Sequence, residues 1–377
     1  MKKLIPIACL LFVLYAFTNQ LNFEQEGIPI EEYRKLYSQP IKDWPKPNID
    51  SGVVWQEFQP IAYNDAYAKD MENPINILGK MLFFDPKLSG SNQISCSSCH
   101  DPEMGWSDGR EHALGNDHLL GNRNSLSLFN VGERKSFFWD GRASSLEEQA
   151  NGPITALHEM NTTPKTMVKK LKRIKGYQVL FANAFGDKKV TYERVLKALA
   201  SFQKTIKSNP SRFDEFLEGN YKALTDEEIY GMHIFRTKAR CMNCHSGKYF
   251  TDEQFHNIGL TYYKREYEDL GRYNITKKKE DVGKFRTPSL RDVMITAPWM
   301  HNGFFDDMQG VISMYNSGMQ MMNPTAKEKL KDSLFPSTDL LLQPLDLTVG
   351  EAEALEAFLK AISNTKYKMS RPQFPVK

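Results

Sequence analysis

The chain has 377 residues, 41% of them hydrophobic and 25% charged, with 49 basic residues against 46 acidic ones. This is the composition of an ordinary soluble globular protein, and the length suits two domains. The formal net charge of +3 gives no global field for nucleic acid, and no nucleic-acid partner is expected.

Lys2 and Lys3 precede an apolar stretch from Leu4 to Phe17. That stretch is shorter than the roughly 20 residues a bilayer-spanning helix needs. Residues 1–19 therefore read as an export signal, with the small residues Ala16 and Thr18 near its end. The competing reading is an uncleaved N-terminal membrane anchor. Residues 20–60 contain Pro40, Pro45 and Pro47 and no sustained periodicity, so an irregular N-terminal extension is expected. A first domain is expected over 61–207. It ends in a helix, because Val195, Leu196, Leu199 and Phe202 recur at helical spacing. Asn209-Pro210 marks the break after it. A second domain, 208–377, opens on Thr225-Asp-Glu-Glu228, in which Thr225 and Glu228 can satisfy each other's backbone donors. Ile229, Met232 and Phe235 then form one apolar face, and a last helix is expected from Gly350 to Ile362. The basic runs Lys169–Lys175 and Lys277–Lys279 read as solvated faces rather than docking patches for an acidic redox partner.

The chemistry lies in the cysteines. Removing the signal removes Cys9 and leaves four, all in two Cys-x-x-Cys-His motifs: Cys96, Cys99 and His100, then Cys241, Cys244 and His245. Two thiols three positions apart can reach the two vinyl groups of one haem, and the next histidine can bind its iron. A zinc site would need the paired motifs closer together, and a redox dithiol has no use for the histidine. The reading is two covalently bound haem c groups, at Cys96, Cys99, His100 and at Cys241, Cys244, His245. The fold class expected is mainly α, with two cytochrome c-like haem domains and long loops.

Between the motifs stand Phe137-Phe-Trp139-Asp-Gly-Arg142, Glu147-Glu-Gln149-Ala-Asn-Gly-Pro153 and His158-Glu159-Met-Asn161. With Leu78-Gly79-Lys80-Met-Leu82 before them, and Phe285-Arg-Thr-Pro-Ser-Leu-Arg291 and Tyr315-Asn-Ser-Gly318 after them, the chain resembles the bacterial di-haem cytochrome c peroxidase family. That family includes the methylamine-utilisation di-haem enzymes, which modify a partner protein. The resemblance implies a catalytic set. Trp139 would lie between the haems, and Gln149, Pro153 and Glu159 over the peroxide-binding iron. It also implies a calcium site at Asn124, Thr296 and Pro298, and a homodimer.

Two departures bear on function. Peroxidase-type members cap the first iron with a loop histidine. Aligning Gly121-Asn-Arg-Asn124 puts Asn116 in that place, with His112 and His118 out of register and read as loop residues. The far ligand of the second haem is methionine in that type and tyrosine in the methylamine type. Here Met314 and Tyr315 are adjacent, and Tyr315 is favoured; Met300, His301 and Met319 are lesser candidates. The expectation is a periplasmic peroxidase that reduces hydrogen peroxide to water with electrons from a small cytochrome c or copper protein. The alternatives are oxidation of a partner protein and non-enzymatic electron carriage, the last weakened by Glu159 and Gln149.

Overall fold

The computed structural model describes residues 29–61, 69–364 and 369–375, so the expected export signal lies outside the described residues. Helices dominate: α1 (Ile30–Tyr37), α2 (Pro74–Phe84), α3 (Leu146–Thr155), α4 (Pro164–Lys172), α5 (Lys175–Phe185), α6 (Tyr192–Gln203), α7 (Arg212–Leu217), α8 (Asp226–Arg236), α9 (Tyr273–Thr276), α10 (Met308–Asn316), α11 (Ala326–Lys331) and α12 (Val349–Ala361). Among the described residues the one sheet pairs β1 (Phe255–His256) with β2 (Phe285–Arg286), antiparallel. No helix among the described residues is long and apolar enough to cross a membrane.

The caps expected from the sequence form. Thr225 and Glu228 satisfy each other's backbone N–H at the start of α8, and Thr348 and Glu351 do the same at the start of α12. α6 stops at Gln203, ahead of Asn209-Pro210, because Thr205 N–H turns back to the Phe202 carbonyl.

Each of two hydrophobic cores is organised by one crossed helix pair. In the first, α2 meets α6 at Gly79, where a Cβ would lie 2.0 Å from the Ala198 carbonyl oxygen. In the second, α8 meets α12 at Gly231, where a Cβ would lie 1.8 Å from the Ala354 carbonyl oxygen. Only glycine lets the backbones approach so closely. The correspondence extends along the partners: Ala198-Leu-Ala-Ser-Phe202 and Ala354-Leu-Glu-Ala-Phe358 present the same Ala-Leu-x-x-Phe face, with Phe202 and Phe358 fully buried. Beyond the two cysteine motifs, no strong repeat stands out in the sequence. The structure supplies one, short and split between distant helices. Gly231→Val should overpack the second crossing by about 1–3 kcal/mol and lower the thermal unfolding midpoint. An unchanged midpoint would mean that the crossing opens without cost.

The extension is not irregular throughout. Tyr33 and Tyr37, one turn apart on α1, are buried in the second core with Trp44 and Phe58. A helix of eight residues is marginal alone, and this one is fixed by the pocket it fills. Tyr37 Oη meets His233 Nδ1 at 2.9 Å, and Arg236 on α8 pairs with Glu57 of the same strap. The C-terminal segment crosses the other way. Met369 is buried in the first core, and Arg371 pairs with Asp101 at 2.9 Å. Both basic runs are largely solvent-facing as expected, although Lys170 Nζ reaches the Ser89 carbonyl.

Candidate haem and peroxide sites

The two Cys-x-x-Cys-His motifs fold alike. Cys96–Ser98 and Cys241–Asn243 are single 3-10 turns. His100 N–H donates to the Cys96 carbonyl at 3.0 Å and His245 N–H to the Cys241 carbonyl at 2.8 Å, which brings both thiols and the imidazole to one side. His100 Nδ1 donates to the Trp106 carbonyl at 3.0 Å, and His245 Nδ1 to the Phe250 carbonyl at 2.9 Å. A carbonyl can only accept, so each ring carries a proton on Nδ1, the tautomer in which Nε2 offers its lone pair to a metal. Trp106 and Phe250 are fully buried and hold left-handed backbones, φ +59° and +53°. That strain recurs after both motifs, six residues past the histidine in one and five in the other, where it aims a carbonyl at the ring.

Burial raises the thiols of Cys96, Cys99 and Cys241 to about 12, with the charge of Glu159 adding at the first pair. Neutral, part-buried sulfurs suit thioether attachment to an apolar macrocycle.

Over the first motif, Glu159 is pinned through its backbone from two sides. Its carbonyl accepts from Asn116 N–H at 2.8 Å, and a Cβ on Gly115 would lie 2.8 Å from its Cα. On the other side Gly90 N–H donates to the Met160 carbonyl at 2.8 Å. The Glu159 side chain is 34% exposed, with His158 Nε2 3.7 Å away. Burial raises its pKa above the usual carboxylate range, while His158 and Arg142 partly oppose the shift. Gln149 is half-buried on α3, capped by Ser145. Asn116 is 3% exposed and its amide donates to Asp117 Oδ2 at 2.9 Å. His118 is exposed, and the His112 ring lies 6.5 Å from that of Phe304.

The second motif opens on a cavity of about 240 Å³ lined by Cys241, Cys244, His245, Trp139, His301 and Tyr315, among others. Met308, Val311, Ile312 and Tyr315 line it from α10, a single helical stripe, and Met314 falls off that stripe. Met300 also lines it, whereas Met319 does not. His301 is stacked on Phe285, rings 3.6 Å apart, and burial takes its pKa down to about 3. Burial, reinforced by the two thiols, pushes the Tyr315 phenol above its usual range. Beside Cys244, His256 is held between Asp252 at 2.9 Å and Asp339 at 2.6 Å. Burial opposes its charge, but the two carboxylates prevail and raise it to about 12. This grouping carries no signature in the sequence, since its members are up to 87 residues apart.

Trp139 stands on the cavity wall, with Nε1 donating to the Asn124 carbonyl at 3.0 Å and its own carbonyl accepting from Arg286 N–H at 2.8 Å. Nearby, Arg123 bridges Asp140 and Asp269, both at 2.6 Å, and so joins the segment after the first motif to the loop after the second. Asn124, Thr296 and Pro298 all border the cavity. Among the described residues, Asn124 Oδ1 and the Thr296 and Pro298 carbonyls accept no hydrogen bond. Neutral oxygens left free in this way are the donors a hard cation takes.

Two glycine-crossed helix pairs, each with a paired-cysteine haem-attachment motif, define a di-haem c-type protein. The chain belongs to the di-haem cytochrome c peroxidase family, whose model matches residues 75–222. It is 36% identical over 319 residues to the methylamine utilization protein MauG of Methylophilus methylotrophus, covering 82% of this chain and 90% of that protein. It is 34% identical to the cytochrome-c peroxidase IdrP1 of Pseudomonas sp. strain SCT, covering 76% and 80%. Among solved structures it is similar to a MauG-like protein associated with microbial copper homeostasis, with a TM-score of 0.69, 28% identity, and coverage of 85% of this chain and 93% of that one. Membership implies two haem c cofactors. Relatives of both the peroxidase and the MauG kind are present.

Proposed function

We propose that this protein is an exported peroxidase that reduces hydrogen peroxide to two waters, using two protons and two electrons from a small cytochrome c or copper protein. The observation that carries the reading is Glu159. Its backbone is fixed by Asn116 and Gly115, its side chain is partly shielded from water, and its charge is felt at both thiols of the first motif. An electron carrier gains nothing from a proton-accepting group in that position.

Haem bound at Cys96, Cys99 and His100 would supply the iron at which the oxygen–oxygen bond is reduced. Glu159 takes the proton from the near oxygen of peroxide and returns it to the far one, so that water leaves. The raised pKa brings it closer to the pH at which such a shuttle works best. Gln149 orients the peroxide with its amide. Trp139, on the wall of the second cavity, would carry electrons between the two centres, and Tyr315, with His245, would help hold the second haem. Asn124, Thr296 and Pro298 would hold a calcium ion between the two parts of the chain. The apolar leader of residues 4–17 supports a periplasmic location.

A second reading, oxidation of a partner protein, has one observation in its favour. Tyr315 lies on the cavity stripe of α10 and Met314 lies off it, and anionic oxygen ligation favours high oxidation states of iron. Steady-state peroxide consumption with a reduced small cytochrome distinguishes the two. Sustained turnover is expected. Rapid reaction with peroxide followed by negligible cytochrome oxidation would overturn the peroxidase reading and leave the partner-oxidising one.

A further inference from the structure

Two arginines face the second cavity from different parts of the chain, Arg134 after the turn Val131–Glu133 and Arg286 in β2. The Arg286 side chain is 0% exposed. Its Nη1 donates to Glu253 Oε1 at 3.1 Å and to the Thr287 carbonyl at 3.3 Å, while its Nε and Nη2 are buried with no partner. Arg134 Nη2 reaches the Ser127 and Phe129 carbonyls at 3.3 and 3.4 Å, both long. Burial and the neighbouring Arg286 bring the Arg134 pKa down to about 9, against which Glu253 is the opposing charge.

The other cations on the cavity wall each have a carboxylate partner. Arg240 pairs with Asp50, Arg291 with Asp214, and His256 with Asp252 and Asp339. Arg134, by contrast, is in no ion pair among the described residues, and Arg286 keeps unused donors beside it. Buried guanidinium without a counter-charge is costly, and a carboxylate is the group its planar fork matches. A haem attached through its vinyl edge at Cys241 and Cys244 carries two carboxylates away from that edge, and the cavity walls must receive them.

We infer that Arg134 and Arg286 form the seat for the carboxylates of the second haem. The inference rests on the haem reading of Cys241, Cys244 and His245. Because Arg286 N–H also holds the Trp139 carbonyl, the seat fixes the haem and the tryptophan against one strand. Two cations at its carboxylates also disfavour the ferric state relative to the ferrous one.

The test uses full-length protein from an exporting, haem-maturing host. It compares Arg134→Met, Arg286→Met and both Arg→Lys variants by haem content, by the midpoint potential of each haem, and by the carboxylate-bending band in resonance Raman spectra. Arg134, partly exposed, is the variant most tolerant of change. Arg134→Met is expected to keep two haems, to lower the potential of the second haem alone and to shift its Raman band; Arg134→Lys should restore most of the potential. Loss of the second haem in Arg286→Met, with retention in Arg286→Lys, would also support the seat. An unchanged second-haem potential and Raman band in Arg134→Met would overturn it, whatever Arg286→Met does. Fewer than two haems in the unmodified protein would overturn the haem reading instead, and haem content makes that outcome separately visible.

Discussion

Glu159→Gln should slow peroxide turnover by about 10²–10⁴-fold, the usual contribution of a positioned proton-transfer group, while both haem spectra stay as they are. The amide keeps the shape and the backbone contacts from Asn116 and Gly115, and removes only the ability to accept and return a proton. The pH profile gives a sharper check. Burial raises the Glu159 pKa above the usual carboxylate range. Its working form is the ionised one, so kcat/KM should fall as pH drops through that raised value. The acid limb should vanish in Glu159→Gln. A variant that retains full activity, or that loses activity but keeps the limb, would place the proton acceptor elsewhere.

The resting protein is expected to react with peroxide without prior reduction, through a high-spin ferric first haem. The resemblance aligns Asn116 with the expected position of a capping histidine, and its amide is buried and engaged by Asp117. His118 points to solvent. The companion expectation concerns the second iron. Tyr315→Phe should alter its spectrum strongly, Met314→Leu should leave it unchanged, and the near-infrared sulfur-to-iron band should be absent. The Tyr315 phenol is raised by burial and by the thiols beside it, so it has little tendency to ionise unless a metal cation compensates. Electron paramagnetic resonance of the oxidised protein reports both irons. A low-spin first haem that turns high-spin on half-reduction would return His118 or His112 as a cap. A sulfur-to-iron band lost in Met314→Leu would return the second site to methionine.

The attachment motifs, the helix caps and the helical character were legible in the sequence because each is local: three residues fix a turn, four fix a cap, and period fixes a helix face. That Tyr315 rather than Met314 shares the cavity face of Met308, Val311 and Ile312 follows from helical phase, but only once the bounds of α10 are known. What could not be read is set by tertiary placement. The Gly79 and Gly231 crossings rest on partners more than a hundred residues away. Arg286 stands in plain sight in Phe-Arg-Thr-Pro-Ser-Leu-Arg, yet its burial and unused donors appear only in the fold. The triad of Asp252, His256 and Asp339 joins a loop to a segment 83 residues beyond the histidine. The short helix α1 was unreadable for a different reason, since two tyrosines in a proline-flanked segment are a pattern only against the pocket that receives them.

The two ends of the chain are exchanged between the cores. The strap before α2 lies on the core built around α8 and α12, and the segment after α12 lies on the core built around α2 and α6. Arg291 donates to the Gln59 carbonyl across a separation of 232 positions. The strap residues must therefore wait during synthesis until partners 153 to 232 positions later have followed them. Contacts of such high sequence separation form slowly. A cut near residue 207 would yield two fragments, each missing a piece held by the other. The predicted behaviour is thus a single cooperative unfolding transition, in which neither half melts alone.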